Sequence, residues 1–140
     1  MPVVHLHLKR QLAQAERKAI ADTIHQVLVE VLWVPEQDHF QTISVHGDDL
    51  IYDKNFLDIE RTDGIIFVEI VLSYGRPVEL KKALFKAITD RLHAAHAIRP
   101  EDVFIYLIET NRENISFGNG IAQFADKVPD HLARFANKTA

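Results

Sequence analysis

The chain has 140 residues, 47% hydrophobic and 26% charged, a balance that suits one globular domain with a real core. Its net charge of -4 leaves no basic footprint for nucleic acid, and the lack of cysteine excludes disulfides and thiolate chemistry and fits a reducing compartment. No apolar run approaches the ~18 residues of a membrane span, and residues 1–10 carry no basic region ahead of an apolar one, so a cytoplasmic protein without a secretory signal is expected.

Pro2 to Leu8 reads as a strand, with Val4, Leu6 and Leu8 on one face and Val3, His5 and His7 on the other. A helix follows from about Ala13 to Leu32. Ile20, Ile24, Val27, Leu28 and Val31 form its apolar stripe, and Pro35 marks its end. Phe40 to Val45 reads as a second strand. Residues 47–64 are rich in aspartate and read as a long connection; their spacing matches no calcium-loop pattern. Ile65 to Leu72 is almost continuously apolar, as in a strand buried on both faces. Pro77 is well placed as the first residue of a helix. Leu80, Leu84, Ile88 and Leu92 stripe that helix, which ends before Pro100, and Val103 to Ile108 forms a further strand.

These elements repeat. Ile20, Ile24 and Leu28 correspond to Leu84, Ile88 and Leu92 at a constant offset of 64 positions, as do Lys18 and Ala19 to Lys82 and Ala83. The pattern predicts one domain over residues 1–140, with β-α-β units at about 2–46 and 64–109 and a tail at 110–140. The expected fold is a two-layer α+β structure with a four-stranded mixed sheet and both helices on one face. The other face would be bare, which an oligomer would resolve. Ser116-Phe117-Gly118-Asn119-Gly120 is turn-rich, and Phe124 and Phe135 lie on an otherwise polar tail, of a kind that often docks on a neighbour.

Two β-α-β units behind Met1-Pro2 resemble the tautomerase superfamily, which includes 4-oxalocrotonate tautomerase and macrophage migration inhibitory factor. Within it, the chain is most similar to the malonate semialdehyde decarboxylase group and its uncharacterised relatives. Five stretches carry the resemblance: Met1-Pro2; residues 34–41, Val-Pro-Glu-Gln-Asp-His-Phe-Gln; residues 59–62, Ile-Glu-Arg-Thr; residues 73–77, Ser-Tyr-Gly-Arg-Pro; and residues 116–120 with Phe124. The resemblance implies the tautomerase fold, a homotrimer, and Pro2 as the mature N-terminus and catalytic amine. By position, Asp38 matches the decarboxylase group's catalytic aspartate, and Arg76 the second of its two active-site arginines. Phe117 and Phe124 match aromatic pocket residues. Tyr74 stands where the decarboxylases have an arginine, giving Tyr-Gly-Arg in place of Arg-Pro-Arg, and Ile115 stands where they have a tryptophan. The loss of one cation and one indole argues against decarboxylation and leaves keto–enol chemistry.

Proton abstraction beside a carbonyl needs a base with a pKa near the working pH. An α-amino group starts near ~7.7–8.0. A nearby cation and an apolar wall lower it, and Arg76, with Val4, Phe117 and Phe124, would supply them. Arg76, just ahead of a helix start, would grip the carboxylate of a 2-oxo acid through two parallel bonds. Tyr74 would donate a hydrogen bond to substrate or act as a packed ring. The leading expectation is a trimeric tautomerase for a small carboxylate such as phenylpyruvate. A second is a decarboxylase- or hydratase-type lyase, with protonated Pro2 as general acid and Asp38 activating water. A third is a non-catalytic trimeric binding protein, and a fourth, a ferredoxin-like dimer, conflicts with the parallel crossovers. No cofactor and no metal are called for: the His5/His7 and His93/His96 pairs each lack a third ligand.

Overall fold

In the computed structural model, which describes residues 1–135, the chain runs β1 (Pro2–Leu8), α1 (Gln14–Leu32), β2 (Phe40–Val45), β3 (Ile66–Ser73), α2 (Val78–His96), β4 (Val103–Thr110) and a short α3 (Asp130–Ala133). The strand order is β2-β1-β3-β4. Within each repeat the strands are parallel, β1 with β2 and β3 with β4, while β1 and β3 meet antiparallel at the centre. A crossover helix is what parallel neighbours require, and each unit supplies one. The four-stranded mixed sheet expected from the repeat is therefore present, with both helices on one face. Among the described residues, no helix is long and apolar enough to cross a membrane.

Period-2 alternation in the strands and the helical stripes meet in one core. Val4, Leu6 and Leu8 of β1 and Ile66, Val68, Ile70 and Leu72 of β3 pack under Ile20, Ile24, Val27 and Leu28 of α1 and Leu84, Ile88 and Leu92 of α2. Each fully buried aliphatic side chain contributes about 1.5–3 kcal/mol. Each helix stops at a residue in the left-handed conformation, Trp33 (φ 57°) and Ala97 (φ 54°), whose N–H bonds back to Leu28 and His93 carbonyls respectively. A proline follows in each case, Pro35 and Pro100, so neither helix can resume.

Several boundaries differ from the sequence expectation. Pro77 is the extended N-cap of α2 rather than its first helical residue, because its ψ of 158° places it outside the helix. Strand β3 begins at Ile66, and β4 runs on to Thr110, where Ser73 pairs with it. The long connection closes through Asp102, whose buried carboxylate accepts the Thr62 N–H at 2.7 Å and the Thr62 hydroxyl at 2.6 Å. Strand β3 is not equally buried on its two sides: Phe67, Glu69 and Val71 are half-buried on the helix-free face. That face also carries Phe40, Phe104 and Ile108, all exposed. The tail docks on its own chain, where Phe117 packs against Phe40 and Phe135 against Trp33. It does so because α1 ends with Trp33 turned outward, offering an aromatic surface within reach.

The central position of β3 makes a specific energetic demand. Ile70 is fully buried, so Ile70→Ala is expected to destabilise the fold by roughly 2–5 kcal/mol in urea unfolding. A loss below about 1 kcal/mol would show that the sheet–helix layer is not the stabilising core.

Candidate active site

The first strand sets the site by bringing the N-terminus to the end of the central sheet. Pro2 is buried and pairs with Leu72 of β3, and Met1 beyond it is also buried, at 4% exposure. With Met1 in place, its α-amino group lies 3.0 Å from Asp38 Oδ2. The ammonium donates to His131 Nε2 at 3.4 Å. Burial lowers the pKa of this amine most. Asp38 opposes that shift by charge and hydrogen bond, and the Arg76 cation adds to it.

Asp38 sits in the tight connection between α1 and β2. Its N–H donates to the Pro35 carbonyl at 3.0 Å. Two histidines brace this turn. His25, buried on α1, donates through Nε2 to the Glu36 carbonyl at 2.9 Å, and its ring stacks on His39 with centroids 3.8 Å apart. Asp38 Oδ1 is buried and has no hydrogen-bond partner among the described residues.

Arg76 sits between β3 and α2. Gly75 ahead of it has φ +130°, a conformation that L side chains rarely adopt and that proline's fixed φ excludes. The turn leaves Tyr74 exposed and sends Arg76 inward to 5% exposure. Arg76 Nη1 donates to the Ser73 carbonyl at 3.0 Å. Its Nε and Nη2 are buried without a partner among the described residues. Burial pulls its pKa down to about 10, against the attraction of Glu109 and Asp38, so it remains a cation at neutral pH. An unpaired buried Nε–Nη2 edge is a planar two-donor fork, the shape that accepts a carboxylate side-on.

Asp38 opens onto a cleft of about 820 Å³, walled by Trp33, Phe40, Phe117 and Phe124, with Lys127, His131 and Arg134 from the tail. The N-terminus and Arg76 each interact by charge with Asp38 and with one another, and Asp38 in turn lines the cleft with Phe117 and Phe124, whereas Pro2 and Arg76 are not among the residues lining it. The structure does not bring in Tyr74 or Ile115. Tyr74 lines a separate small cleft with Arg112 and Glu113, and half-buried Ile115 lines neither cleft. Among the described residues, no group of three or more His, Asp or Glu side chains is placed to hold a metal ion. His7 Nδ1 lies 2.9 Å from His46 Nε2, and His96 bonds to the Thr23 hydroxyl at 2.8 Å.

Sequence reasoning missed Trp33, Phe40 and His131 as wall residues. Pro129-Asp130 followed by Leu132 and Phe135 is the one local signal for α3: a helix start and an apolar pair three apart. Nothing in the sequence showed where that turn would dock.

The comparisons with known proteins follow this geometry. The family described as "Tautomerase enzyme" matches residues 38–118. The chain is 39% identical over 127 residues to a probable tautomerase, YusQ, of Bacillus subtilis (strain 168), covering 90% of this chain and 100% of that protein. It resembles the crystal structure of FG41 malonate semialdehyde decarboxylase inhibited by 3-bromopropiolate, with TM-score 0.84 and 32% identity, covering 91% of this chain and 99% of that one. A fused 4-OT symmetric trimer shares the fold at TM-score 0.71 and 20% identity, over 85% of this chain and 94% of that chain.

The surroundings of His131 give the site a pH signature. Burial, the N-terminal ammonium, Arg76 and Arg134 push its pKa from 6.5 to about 4, against the pull of Asp38. The unfolded chain therefore takes up this proton more readily than the folded one. The stabilisation from neutral His131 is full above about pH 6.5 and is lost as pH falls towards about 4. His131→Gln should reduce the slope of the urea midpoint against pH in that window; equal slopes in both proteins would contradict this placement.

Proposed function

The chain belongs to the tautomerase family, and from that premise we propose that it interconverts the keto and enol forms of a small 2-oxo acid, with the Pro2 amine as general base. The observation that carries this reading is the buried N-terminal amine, 3.0 Å from Asp38 and under the charge of Arg76, beside an aromatic-walled cleft that Asp38 and His131 line. Removal of Met1 turns the Pro2 nitrogen from an amide into a secondary amine. It also clears the buried volume that Met1 fills beside Asp38 and His131. Burial and Arg76 lower the pKa of the Met1 amine, and the same influences acting on a freed Pro2 nitrogen would favour the neutral form that a base must be.

Arg76 receives the substrate carboxylate on its unpaired Nε–Nη2 edge. The apolar group of the substrate rests against Phe117 and Phe124, whose ring centroids are 5.3 Å apart. Pro2 takes a proton from the carbon next to the carbonyl, and the electron pair moves to the carbonyl oxygen. Return of the proton to oxygen or carbon completes the interconversion.

A second reading has one observation in its favour: the 3.0 Å contact of the Met1 amine with Asp38 favours the charged form of that amine, and a freed Pro2 amine beside the same carboxylate would be favoured likewise. A protonated Pro2 would then act as general acid while Asp38 activates water, as in a decarboxylase or hydratase. The decarboxylase group's Arg-Pro-Arg pattern weighs against it, since φ +130° at Gly75 is closed to proline and the residue before it is the exposed Tyr74. We also infer a homotrimer, the assembly of the fused 4-OT neighbour. Exposed Phe40, Phe104 and Ile108 on the helix-free face need cover that a single chain does not provide. The cysteine-free composition fits the cytoplasmic setting expected above.

Ketonisation of phenylenolpyruvate, followed by ultraviolet absorbance after intact mass has shown loss of Met1, tests the assignment. Pro2→Ala should lower kcat/KM by roughly 10²–10⁴-fold, and Arg76→Ala should raise KM. Wild-type rates in Pro2→Ala would remove the base assignment. Carbon dioxide release from malonate semialdehyde without ketonisation would favour the lyase.

A further inference from the structure

One polar group at the cleft has no task in this reaction. His131 lies on α3, beyond residues 38–118 where the family matches. Its imidazole is buried, and its Nε2 reaches to 3.4 Å from the Met1 amine. That places the ring against the volume beside Pro2 that Met1 fills. The turn carrying it is anchored on both sides. Leu132 and Phe135 are buried, the Phe135 ring centroid is 5.9 Å from that of Trp33, and the Arg134 guanidinium lies 4.1 Å over the Trp33 ring. An imidazole fixed in this way needs little reorganisation when charge develops beside it.

We propose that, with Met1 removed, His131 is a substrate-contacting residue of the site, its neutral imidazole held in the Nε2–H tautomer, the reverse of the one that accepts from the Met1 ammonium, and donating from Nε2 to the C2 oxygen of a 2-oxo acid whose carboxylate lies on Arg76. The proposal rests on the tautomerase reading and adds the group that reading lacks, a donor for the oxygen. As Pro2 takes the C3 proton, the C3–H electron pair becomes the C2=C3 bond, and the former carbonyl pair becomes the lone pair of the C2 oxyanion. The Nε2–H bond shortens onto that oxygen without transferring its proton. Burial first, then the N-terminal charge, Arg76 and Arg134 keep the ring neutral, while Asp38 alone among the facing charges favours its protonation. A neutral imidazole is a weak acid, so it stabilises the oxyanion and does not quench it. The donor comes from the tail, so part of the cleft wall is built by residues outside the family match.

The test uses the full chain with Met1 removed. In phenylenolpyruvate ketonisation, His131→Ala should lower kcat by about tenfold or more, in the range of a lost oxyanion donor, with KM changed far less. His131→Gln, which keeps an N–H donor, should recover part of that loss. Wild-type kcat in His131→Ala, or a glutamine variant no better than alanine, overturns the proposal. Wild-type protein and Pro2→Ala in the same assay separate the levels: an inactive wild type removes the tautomerase reading, activity retained in Pro2→Ala removes Pro2 as the base, and an inactive Pro2→Ala beside an unimpaired His131→Ala removes only the role of His131. A binding arm is independent of turnover. The His131 ring ¹⁵N resonances, assigned by their absence in His131→Gln, should shift when phenylpyruvate is added. No shift at millimolar phenylpyruvate would place the imidazole outside the site.

Discussion

A buried N-terminal amine under the opposing influences of a carboxylate and a guanidinium is the constraint on which this site depends. Water is largely excluded, so each charge acts at close to full strength and must be balanced locally. Burial and Arg76 oppose charge on the Met1 amine, and Asp38 favours it; under the proposed mechanism the freed Pro2 nitrogen would meet the same influences. Their balance decides whether the nitrogen is a base or an acid. The fold fixes that balance by fixing three backbones: β1 delivers the amine to the sheet end, the His25–His39 stack braces the turn bearing Asp38, and Gly75 turns Arg76 inward.

The same constraint gives the initiating methionine a physical meaning. Met1 is buried and its amine occupies the position beside Asp38 and His131. A chain that keeps it has an amide at Pro2 and a filled site. Under the proposed mechanism, removal of Met1 would create the secondary amine and the room for a substrate in one step. The unpaired Arg76 Nε and Nη2 and Asp38 Oδ1 fit this picture, because buried polar atoms left without partners in a well-packed fold point to a ligand that completes them.

Much of the fold was legible because it rests on periodicity. Ile20, Ile24 and Leu28 and their counterparts Leu84, Ile88 and Leu92 mark two crossover helices, and alternation in Val4, Leu6 and Leu8 sets the face they cover. The gathering of Pro2, Asp38 and Arg76 is tertiary, and it was expected only through resemblance to a family. The placements of Tyr74 and Ile115 were not legible, since they follow from the φ of Gly75 and from a short turn after β4. Nor was α3, a single helical turn that too few local bonds can stabilise alone. It exists through Trp33 and Phe135, which are distant in sequence. The contribution of His131 to the cleft was hidden for that reason.

The most direct measurement is a titration of the Pro2 nitrogen itself, by ¹⁵N NMR of proline-labelled protein shown by mass to lack Met1. The account predicts that this amine titrates below the ordinary range for an N-terminal proline and that the same value appears as the acid limb of kcat/KM. It also predicts that Asp38→Asn moves both further down, because the one group raising the pKa is then gone. An amine titrating at its ordinary value, or a rate profile indifferent to it, would contradict the claim that Pro2 is the base.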